Sequence, residues 1–195
     1  EGLAGLIYAS GIPGTLAGAI VGNAGAFGSQ IGDVVKSVDV LLPSGEERTL
    51  RREQLRFGYR HSILKEMTAV VVSATLALQP GDMTLLTQER NDILDSRKTK
   101  HPDYQKIPCA GSFFKNIVNP DGTRKAAGWF LDQAGCKTLS VGDAGVFDRH
   151  ANIIINRGKA KAIEVYQLSE QMKERVRAAF HITLEPEVRF IGNFS

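Results

Sequence analysis

Residues 11–28 read GIPGTLAGAIVGNAGAFG, a stretch dominated by glycine and alanine. Its Pro13-Gly14 pair marks a turn, and Thr15 is a residue type that caps the start of a short helix. Glycines leave the backbone bare, so the N–H groups of such a turn can approach a phosphate closely. A tightly packed Gly/Ala helix is the alternative interpretation. Neither GxxxxGK[ST] nor GxGxxG occurs here, which excludes a P-loop and a Rossmann fingerprint.

The next segment has the pattern of strands. Val34–Leu42 is rich in valine and ends at the turn-forming Pro43-Ser44-Gly45. Glu47–Arg51 follows directly, which predicts a hairpin. Thr68–Leu78, with its valines, alanines and leucines, predicts a further strand. Residues 84–98 mix leucine and isoleucine with charged residues and predict a helix.

The second half begins near residue 101, where we place a domain boundary, and residues 101–124 look irregular. Lys125–Gln133 predicts a helix, and Ala151–Asn156 predicts a short strand. The clearest helix covers residues from about 159 to 180, because apolar side chains recur there at spacings of three and four. We expect that stripe to be core. The chain closes on Ile182–Gly192, for which we predict a strand.

Composition limits the function classes. The chain has 195 residues, 43% of them hydrophobic and 23% charged, which suits one large domain or two small ones. A net charge of +3 is too small for a nucleic-acid footprint but is compatible with anionic small substrates. No apolar run approaches the roughly 20 residues that span a bilayer. The N-terminus has no basic region of the kind that begins a signal peptide. It also lacks an initiator Met, and we expect a preceding segment.

The two cysteines, Cys109 and Cys136, form no CxxC pair and no Cys/His cluster, so we expect no metal site. Two free thiols suit the reducing cytosol. We therefore expect a cytoplasmic protein.

Three residues that could carry chemistry have ordinary explanations when each is taken alone. Arg60 follows a tyrosine and is typical of a surface cation, and Ser112 follows a glycine and is typical of a turn. Glu187 would be solvated on a terminal strand. Their surroundings favour a different interpretation.

Several separated motifs, taken in order, resemble the UDP-N-acetylenolpyruvoylglucosamine reductase family, and the resemblance covers essentially the whole chain. The motifs are the 11–28 stretch, Gly58-Tyr59-Arg60, Gly111-Ser112-Phe113-Phe114-Lys115-Asn116, Ala126-Ala127-Gly128-Trp129, Ala151-Asn152 and Glu185-Pro186-Glu187-Val188-Arg189. Each motif is moderately specific, and their common order is a strong signal.

The resemblance implies an α+β fold in which residues 1–100 are the second half of a vanillyl-alcohol-oxidase-type FAD-binding domain. Residues 101–180 would be an α+β substrate-binding domain, and residues 181–195 a strand returning to the active site. The family's first half of the FAD domain would precede Glu1. The FAD-binding residues implied by the resemblance are Ile12, Pro13, Gly14, Thr15, Gly18, Asn23 and Gly25.

The resemblance also implies a reaction. NADPH reduces FAD, and the flavin passes hydride to the enolpyruvyl group of UDP-N-acetylglucosamine enolpyruvate. Ser112 is then the proton donor, and Arg60 and Glu187 flank the substrate carboxylate. Arginine can grip a carboxylate bidentately and stabilise an enolate. Glu187 would have to be protonated, which requires a raised pKa. A free serine is a poor acid, so Ser112 needs a neighbour, and Lys115 is one candidate.

Further positions match the family's substrate contacts: Tyr59, Lys100, Lys115, Asn116, His150 and Arg189. The alternative for Lys100 is a solvated lysine in a basic run. Residues 61–103 contain no tyrosine, so the tyrosine-bearing loop of long family members is absent. Asp143 stands where the family usually has glycine, and a carboxylate beside a diphosphate would weaken binding unless it pointed away.

Two other functions stay open at this point. One is another flavin oxidoreductase of the same fold, against which the cluster of Ser112, Lys115 and Asn116 argues. The other is a nucleotide-sugar-binding protein without catalysis. We expect a monomer with no nucleic-acid partner and no membrane span.

Overall fold

The computed structural model describes residues 2–194, which fall into two compact units divided between Arg97 and Lys98. The helices are α1 (Leu16–Val21), α2 (Met83–Lys100), α3 (Ala127–Gln133) and α4 (Ala162–Phe180). The strands are β1 (Leu3–Ala4), β2 (Gly25–Ala26), β3 (Ser29–Gln30), β4 (Val35–Leu41), β5 (Glu47–Arg51), β6 (Val70–Leu76), β7 (Gln79–Pro80), β8 (Cys109–Ser112), β9 (Ile117–Val118), β10 (Arg124–Lys125), β11 (Ser140–Val141), β12 (Ala144–Phe147) and β13 (His150–Asn156). Within residues 2–194, the helices include none with the length and apolar character needed to cross a membrane.

The first unit is built on a three-stranded antiparallel sheet in the order β5-β4-β6. Val38 of the central strand faces Leu50 on one side and Ala74 on the other. The alternating valines of β4 bury one face of the strand, which is why the predicted hairpin and third strand form. Both predictions are confirmed. The core of the unit gathers Ile20 of α1 with Val35, Val38, Val40, Leu50 and Leu55.

The glycine-rich stretch divides into a short helix and a tight hairpin. Thr15 caps α1, because its hydroxyl oxygen accepts a hydrogen bond of 3.1 Å from the Gly18 N–H. This cap was predicted. The chain then turns back on itself, as β2 and β3 pair antiparallel through Gly25 and Gln30. The stretch is therefore not one continuous Gly/Ala helix.

The second unit has a four-stranded antiparallel sheet in the order β11-β12-β13-β8, with α3 and α4 on its core side. The predicted stripe of α4 is confirmed at Leu168, Met172 and Val176, which are fully buried. They pack with Leu131 of α3. The predicted stripe is wrong at Ala179, which the apolar spacing places in the stripe but which is exposed near the end of the helix. Ser112 ends β8 in this sheet and so belongs to a different sheet from β4.

Two expectations for the second unit were wrong. Residues 101–124 are not irregular throughout, because β8 pairs with β13 and β9 pairs with β10. The predicted strand over Ile182–Gly192 does not form. Apart from one bridge between Pro186 and Phe114, the described residues of that segment pair with no strand. A segment whose residue types favour an extended chain forms a strand only where a partner backbone runs alongside it.

Candidate functional site

The first half of the glycine-rich stretch lies at the surface. Residues 11–16 and Gly18 are exposed. Gly14 has φ = +142°, a conformation that residues with a Cβ rarely adopt, and no heavy atom lies within 4 Å of where a Cβ would be. The predicted cofactor residues Ile12, Pro13, Gly14 and Thr15 therefore present open backbone to a ligand.

Asn23 has a structural role that the sequence did not reveal. Its Nδ2 donates to the Gly58 carbonyl at 2.8 Å and to Gln30 Oε1 at 3.0 Å, and its Oδ1 accepts from the Gly32 N–H at 3.0 Å. The side chain is buried, and its backbone is left-handed at φ = 44°. This amide holds three loop segments together, so a cofactor would meet Asn23 through its main chain.

Arg60 is joined to the same stretch. Its Nη1 donates a hydrogen bond of 2.9 Å to the Gly25 carbonyl, and its guanidinium carbon lies 5.5 Å from the centroid of the Tyr59 ring. The turn is closed by hydrogen bonds between Gly58 and His61. Arg60 itself has φ = 53°, an uncommon conformation for a residue with a side chain. The first unit thus brings Arg60, with the Tyr59 ring beside its guanidinium, against the predicted cofactor residue Gly25.

The first unit also has a cavity of about 480 Å³, and it does not coincide with this arrangement. Its lining includes Tyr8, Phe27, Glu89 and Asp92 but none of the predicted cofactor or catalytic residues. The carboxylates of Glu89 and Asp92 would repel a phosphate. Burial, and then the charge of Asp33, raises the pKa of Tyr8 to about 12, so this phenol stays neutral. Chemistry therefore favours the Gly25–Arg60 region as the functional part of the unit.

In the second unit, the segment after β8 is held on two sides. Phe113 and Phe114 are buried in the core, whereas Ser112 is exposed. On one side, the Phe113 N–H donates to the Asn152 carbonyl at 2.8 Å. At the far end, Asn116 Oδ1 accepts from the Ala127 N–H at 3.2 Å, which joins the segment to the start of α3.

The other side of this segment is the C-terminal stretch. The Lys115 N–H donates to the Glu185 carbonyl at 2.9 Å, and the Glu187 N–H donates to the Phe113 carbonyl at 2.8 Å. The Lys115 ammonium also forms an ion pair with the Glu185 carboxylate. Ser112, Lys115 and Glu187 therefore lie on two short backbone segments that run side by side.

A cavity of about 420 Å³ opens beside Ser112. Of the predicted residues, Ser112, Asn116 and His150 line it, whereas Lys100, Lys115, Glu187 and Arg189 do not. Its remaining lining is Ala126, Gly128, Trp129, Asp132, Lys137, Arg149, Ala151 and Asn152. The cations Lys137 and Arg149 outnumber the single carboxylate, so the cavity suits an anion.

His150 is half-buried in this lining, and burial is the main reason that its pKa is lowered. A hydrogen bond with the backbone acts in the opposite direction, and the charges of Lys137 and Lys100 lower the pKa further. Its Nδ1 accepts from the Asn152 N–H at 3.3 Å, and its ring lies 5.4 Å from that of His101. The lowered pKa favours an uncharged imidazole at neutral pH.

Comparison with known proteins decides the family. Residues 101–191 match the model described as UDP-N-acetylenolpyruvoylglucosamine reductase, C-terminal domain, and residues 1–51 match FAD binding domain. The UDP-N-acetylenolpyruvoylglucosamine reductase of Gloeobacter violaceus is 44% identical over 193 residues, covering 98% of this chain and 63% of the relative. That of Alkaliphilus oremlandii is 41% identical over 192 residues, covering 98% and 61%. The crystal structure of the Thermus caldophilus reductase matches with a TM-score of 0.79 at 31% identity, covering 96% of this chain and 64% of that one.

The chain belongs to the UDP-N-acetylenolpyruvoylglucosamine reductase family. The resemblance seen in the sequence is thereby confirmed, and so is the α+β fold with FAD-binding and C-terminal reductase domains. The chain spans about three fifths of the length of the curated relatives it matches.

The structure explains how this reductase family member tolerates Asp143. The Asp143 Oδ2 accepts a hydrogen bond of 2.7 Å from the Lys159 N–H, and its carbonyl accepts from the Arg157 N–H. The carboxylate therefore caps the turn that follows β13, and Asp143 does not line the cavity beside Ser112.

Sequence reasoning missed two cations that line the cavity beside Ser112. Lys137 pairs with Asp132 at 2.9 Å, and Arg149 donates from Nη1 to the Thr99 carbonyl at 3.1 Å. The Arg149 contact caps the end of α2, as cations near helix C-termini commonly do. No motif marks either residue, and each reaches the cavity from a segment far from Ser112 in the chain.

Proposed function

We propose that this chain is the catalytic part of an enzyme that reduces UDP-N-acetylglucosamine enolpyruvate to UDP-N-acetylmuramate in peptidoglycan precursor synthesis. The observation that carries the proposal is the pairing of the Phe113–Lys115 backbone with the Glu185–Glu187 backbone. This pairing holds a serine and a carboxyl group on adjacent segments, beside a cavity lined by cations. The relatives named above carry the name of this reductase.

We assign the parts of the chain as follows. Residues 1–100 bind FAD, residues 101–180 bind the nucleotide sugar, and residues 181–195 return to the active site. The match of residues 1–51 to FAD binding domain supports the first assignment. The C-terminal segment forms a single-residue bridge between Pro186 and Phe114 instead of a full strand.

The exposed glycine-rich stretch fits FAD. No other group crowds the Cβ position of Gly14, and we propose that a pyrophosphate reaches the exposed backbone of Ile12, Pro13, Gly14, Thr15 and Gly18. We assign Asn23 and Gly25 to the same cofactor, with contact through the main chain. When bound, FAD supplies the hydride that it receives from NADPH.

Arg60 and Glu187 are proposed to bind the substrate carboxylate. The hydrogen bond to Gly25 fixes the position of the Arg60 guanidinium, and a planar guanidinium can meet a carboxylate through two parallel N–H donors, which would stabilise enolate charge. Glu187 can assist a carboxylate only as a protonated acid. We expect Tyr59 and Arg189 to contact the substrate beside them.

Ser112 is proposed to donate the proton to C2 of the enolpyruvyl group. Lys115 is the nearest cation in sequence, but its ammonium pairs with Glu185. We therefore assign Lys115 the role of fixing the Ser112 segment, in addition to the predicted substrate contact. Neutral His150 and Asn116 would donate hydrogen bonds to the diphosphate or sugar, with the charges of Lys100, Lys137 and Arg149 nearby.

We further propose that the enzyme is a cytoplasmic monomer with no nucleic-acid partner. The test is anaerobic spectroscopy on the full polypeptide that contains this chain. NADPH should bleach a bound flavin band, and UDP-N-acetylglucosamine enolpyruvate should restore it. A protein without a flavin band would instead be a nucleotide-sugar-binding protein. A band bleached by NADPH but not restored by this substrate would indicate another flavin oxidoreductase.

A further inference from the structure

Asn152 stands out among the residues around Ser112, because its amide bonds to both backbone groups of one residue. Its Oδ1 accepts from the Phe114 N–H at 2.9 Å, and its Nδ2 donates to the Phe114 carbonyl at 2.8 Å. Its own carbonyl accepts from the Phe113 N–H at 2.8 Å. The side chain is buried, with 2% of its surface exposed.

These bonds continue a sheet that would otherwise end. The β13–β8 ladder pairs Ile153 with Ser112, and within residues 2–194 no strand continues β8 along this edge of β13 past Ser112. The carboxamide of Asn152 acts as the backbone of one further paired residue would, because it offers a donor and an acceptor in one plane. Phe114 is thereby held in register with β13, and Ser112 lies two residues before it.

We infer that Asn152 is a positioning residue, whose carboxamide sets the location of the Ser112 hydroxyl and the path of the chain to Asn116. The inference rests on the proposed function for the role of Ser112. A displacement of about 1 Å at a reacting group can cost on the order of 100-fold in rate. Asn152 therefore influences the step that uses Ser112, although its amide is occupied by Phe114.

Asn152→Asp tests the inference with almost no change in side-chain size. An ionised carboxylate has no donor for the Phe114 carbonyl, and repulsion between the two acceptors should push the Phe114 backbone away from β13, which weakens the bond from the Phe114 N–H as well. Protonation restores a donor. At pH 8 we expect reoxidation of the flavin by the enolpyruvyl substrate to slow about 10- to 100-fold, and to recover at least partly near pH 5. Bleaching of the flavin by NADPH should stay within about threefold of wild type.

Asn156→Asp is the matched control on the same strand. The described side-chain bonds of Asn156 use only its Oδ1, which accepts from the Gly158 and Ala160 N–H groups at 2.9 and 3.0 Å. A carboxylate can replace that acceptor, so neither half-reaction should change by more than about threefold. Should Asn152→Asp fail to fold, Asn152→Gln moves the same amide outward by one methylene and should show the same selective loss.

Hydrogen exchange of the Phe114 amide gives a readout independent of activity. It should quicken at least tenfold in Asn152→Asp at pH 8, relative to Asn156→Asp at the same pH. The inference is overturned if the amide exchange is unchanged, or if both half-reactions slow equally. If the wild-type enzyme does not reduce the enolpyruvyl substrate, the proposed function is wrong. The Asn152–Phe114 pairing is still tested in that case, because the exchange measurement does not depend on activity.

Discussion

The guanidinium of Arg60 donates a hydrogen bond of 2.9 Å to the main-chain carbonyl of Gly25. This bond joins a proposed substrate-binding residue to the glycine-rich stretch proposed to bind FAD. The Asn23 amide makes a parallel connection to Gly58, two residues before Arg60. The position of the Arg60 side chain therefore depends on the position of the glycine-rich stretch, and under the proposed function cofactor binding would influence the placement of Arg60.

Arg60→Lys should lower kcat about 100-fold or more, although it keeps the positive charge. A lysine cannot bond to the Gly25 carbonyl and also present a planar pair of donors to a carboxylate. Steady-state kinetics of the full enzyme measure the effect. Arg56→Lys is a suitable control, because Arg56 is also left-handed, at φ = 46°, and is exposed. Near wild-type kcat in Arg60→Lys would remove Arg60 from the mechanism.

Ser112→Ala should leave bleaching of the flavin by NADPH nearly intact, because no proton goes to the substrate in that half-reaction. Reoxidation by the enolpyruvyl substrate should slow by at least the roughly 100- to 10,000-fold typical of a positioned acid. Ser112→Cys should retain more activity, since a thiol also carries a proton. Stopped-flow absorbance separates the two halves. Ser140→Ala, on the exposed strand β11, should change neither.

Equal slowing of both half-reactions in Ser112→Ala would mean that Ser112 supports the flavin site or the fold. Its assignment as proton donor would then fail.

His150 should make the second unit less stable in mild acid. Its pKa is lowered in the folded state, chiefly by burial, so the unfolded chain binds more protons between that lowered value and about 6.5. The contribution of His150 to folding stability is therefore fully present above about pH 6.5. It decreases as the pH falls from about 6.5 to the lowered pKa. Proton NMR should show a midpoint for the His150 imidazole below 6.5.

The stability consequence can be measured by replacement. His150→Gln should reduce the loss of thermal stability between pH 7.5 and pH 5, because glutamine does not titrate. His181→Gln, at an exposed position after α4, serves as the control. An NMR midpoint at or above 6.5 would contradict the neutral imidazole described above.

Leu168→Ala should destabilise the second unit by about 2–5 kcal/mol, because it leaves a cavity beside Met172 and Leu131 in the core. Trp129 is the sole tryptophan and packs on Phe130 and Phe180, so its fluorescence reports urea unfolding of this unit. Ile191→Ala, at a position 90% exposed, should change stability by less than about 0.5 kcal/mol. Similar effects of the two substitutions would show that the α4 stripe is not the core.

The elements that the sequence predicted well are those whose signal is local. The valines of β4 are close together in the sequence, and the turn-forming Pro43-Ser44-Gly45 follows the strand. The hairpin forms with the predicted second strand, Glu47–Arg51. Apolar residues recur along α4 at spacings of three and four, and helical geometry places side chains at those spacings on one face. The buried Leu168, Met172 and Val176 lie on that face. Thr15 caps α1 through a contact only three residues away.

The failures concern partners distant in sequence. Ile182–Gly192 has the composition of a strand, but only the residues around Pro186 meet another backbone. Lys137 and Arg149 lie on separate elements and carry no motif, yet both reach the cavity beside Ser112. Asn152 carries no signal of its own in the sequence beyond the Ala151-Asn152 motif, and its bonds to Phe114 span 38 positions.

The sequence by itself determined the family, the order of the main helices and strands, and the identity of Arg60, Ser112 and Glu187 as candidates, because motifs and periodicity are properties of neighbouring residues. Only the tertiary structure decided that Arg60 bonds to Gly25, that Glu187 lies beside Phe113, and that Asn152 holds Phe114. Such contacts form between segments tens of residues apart. They depend on which surfaces the folded chain buries together, and no local pattern records that choice.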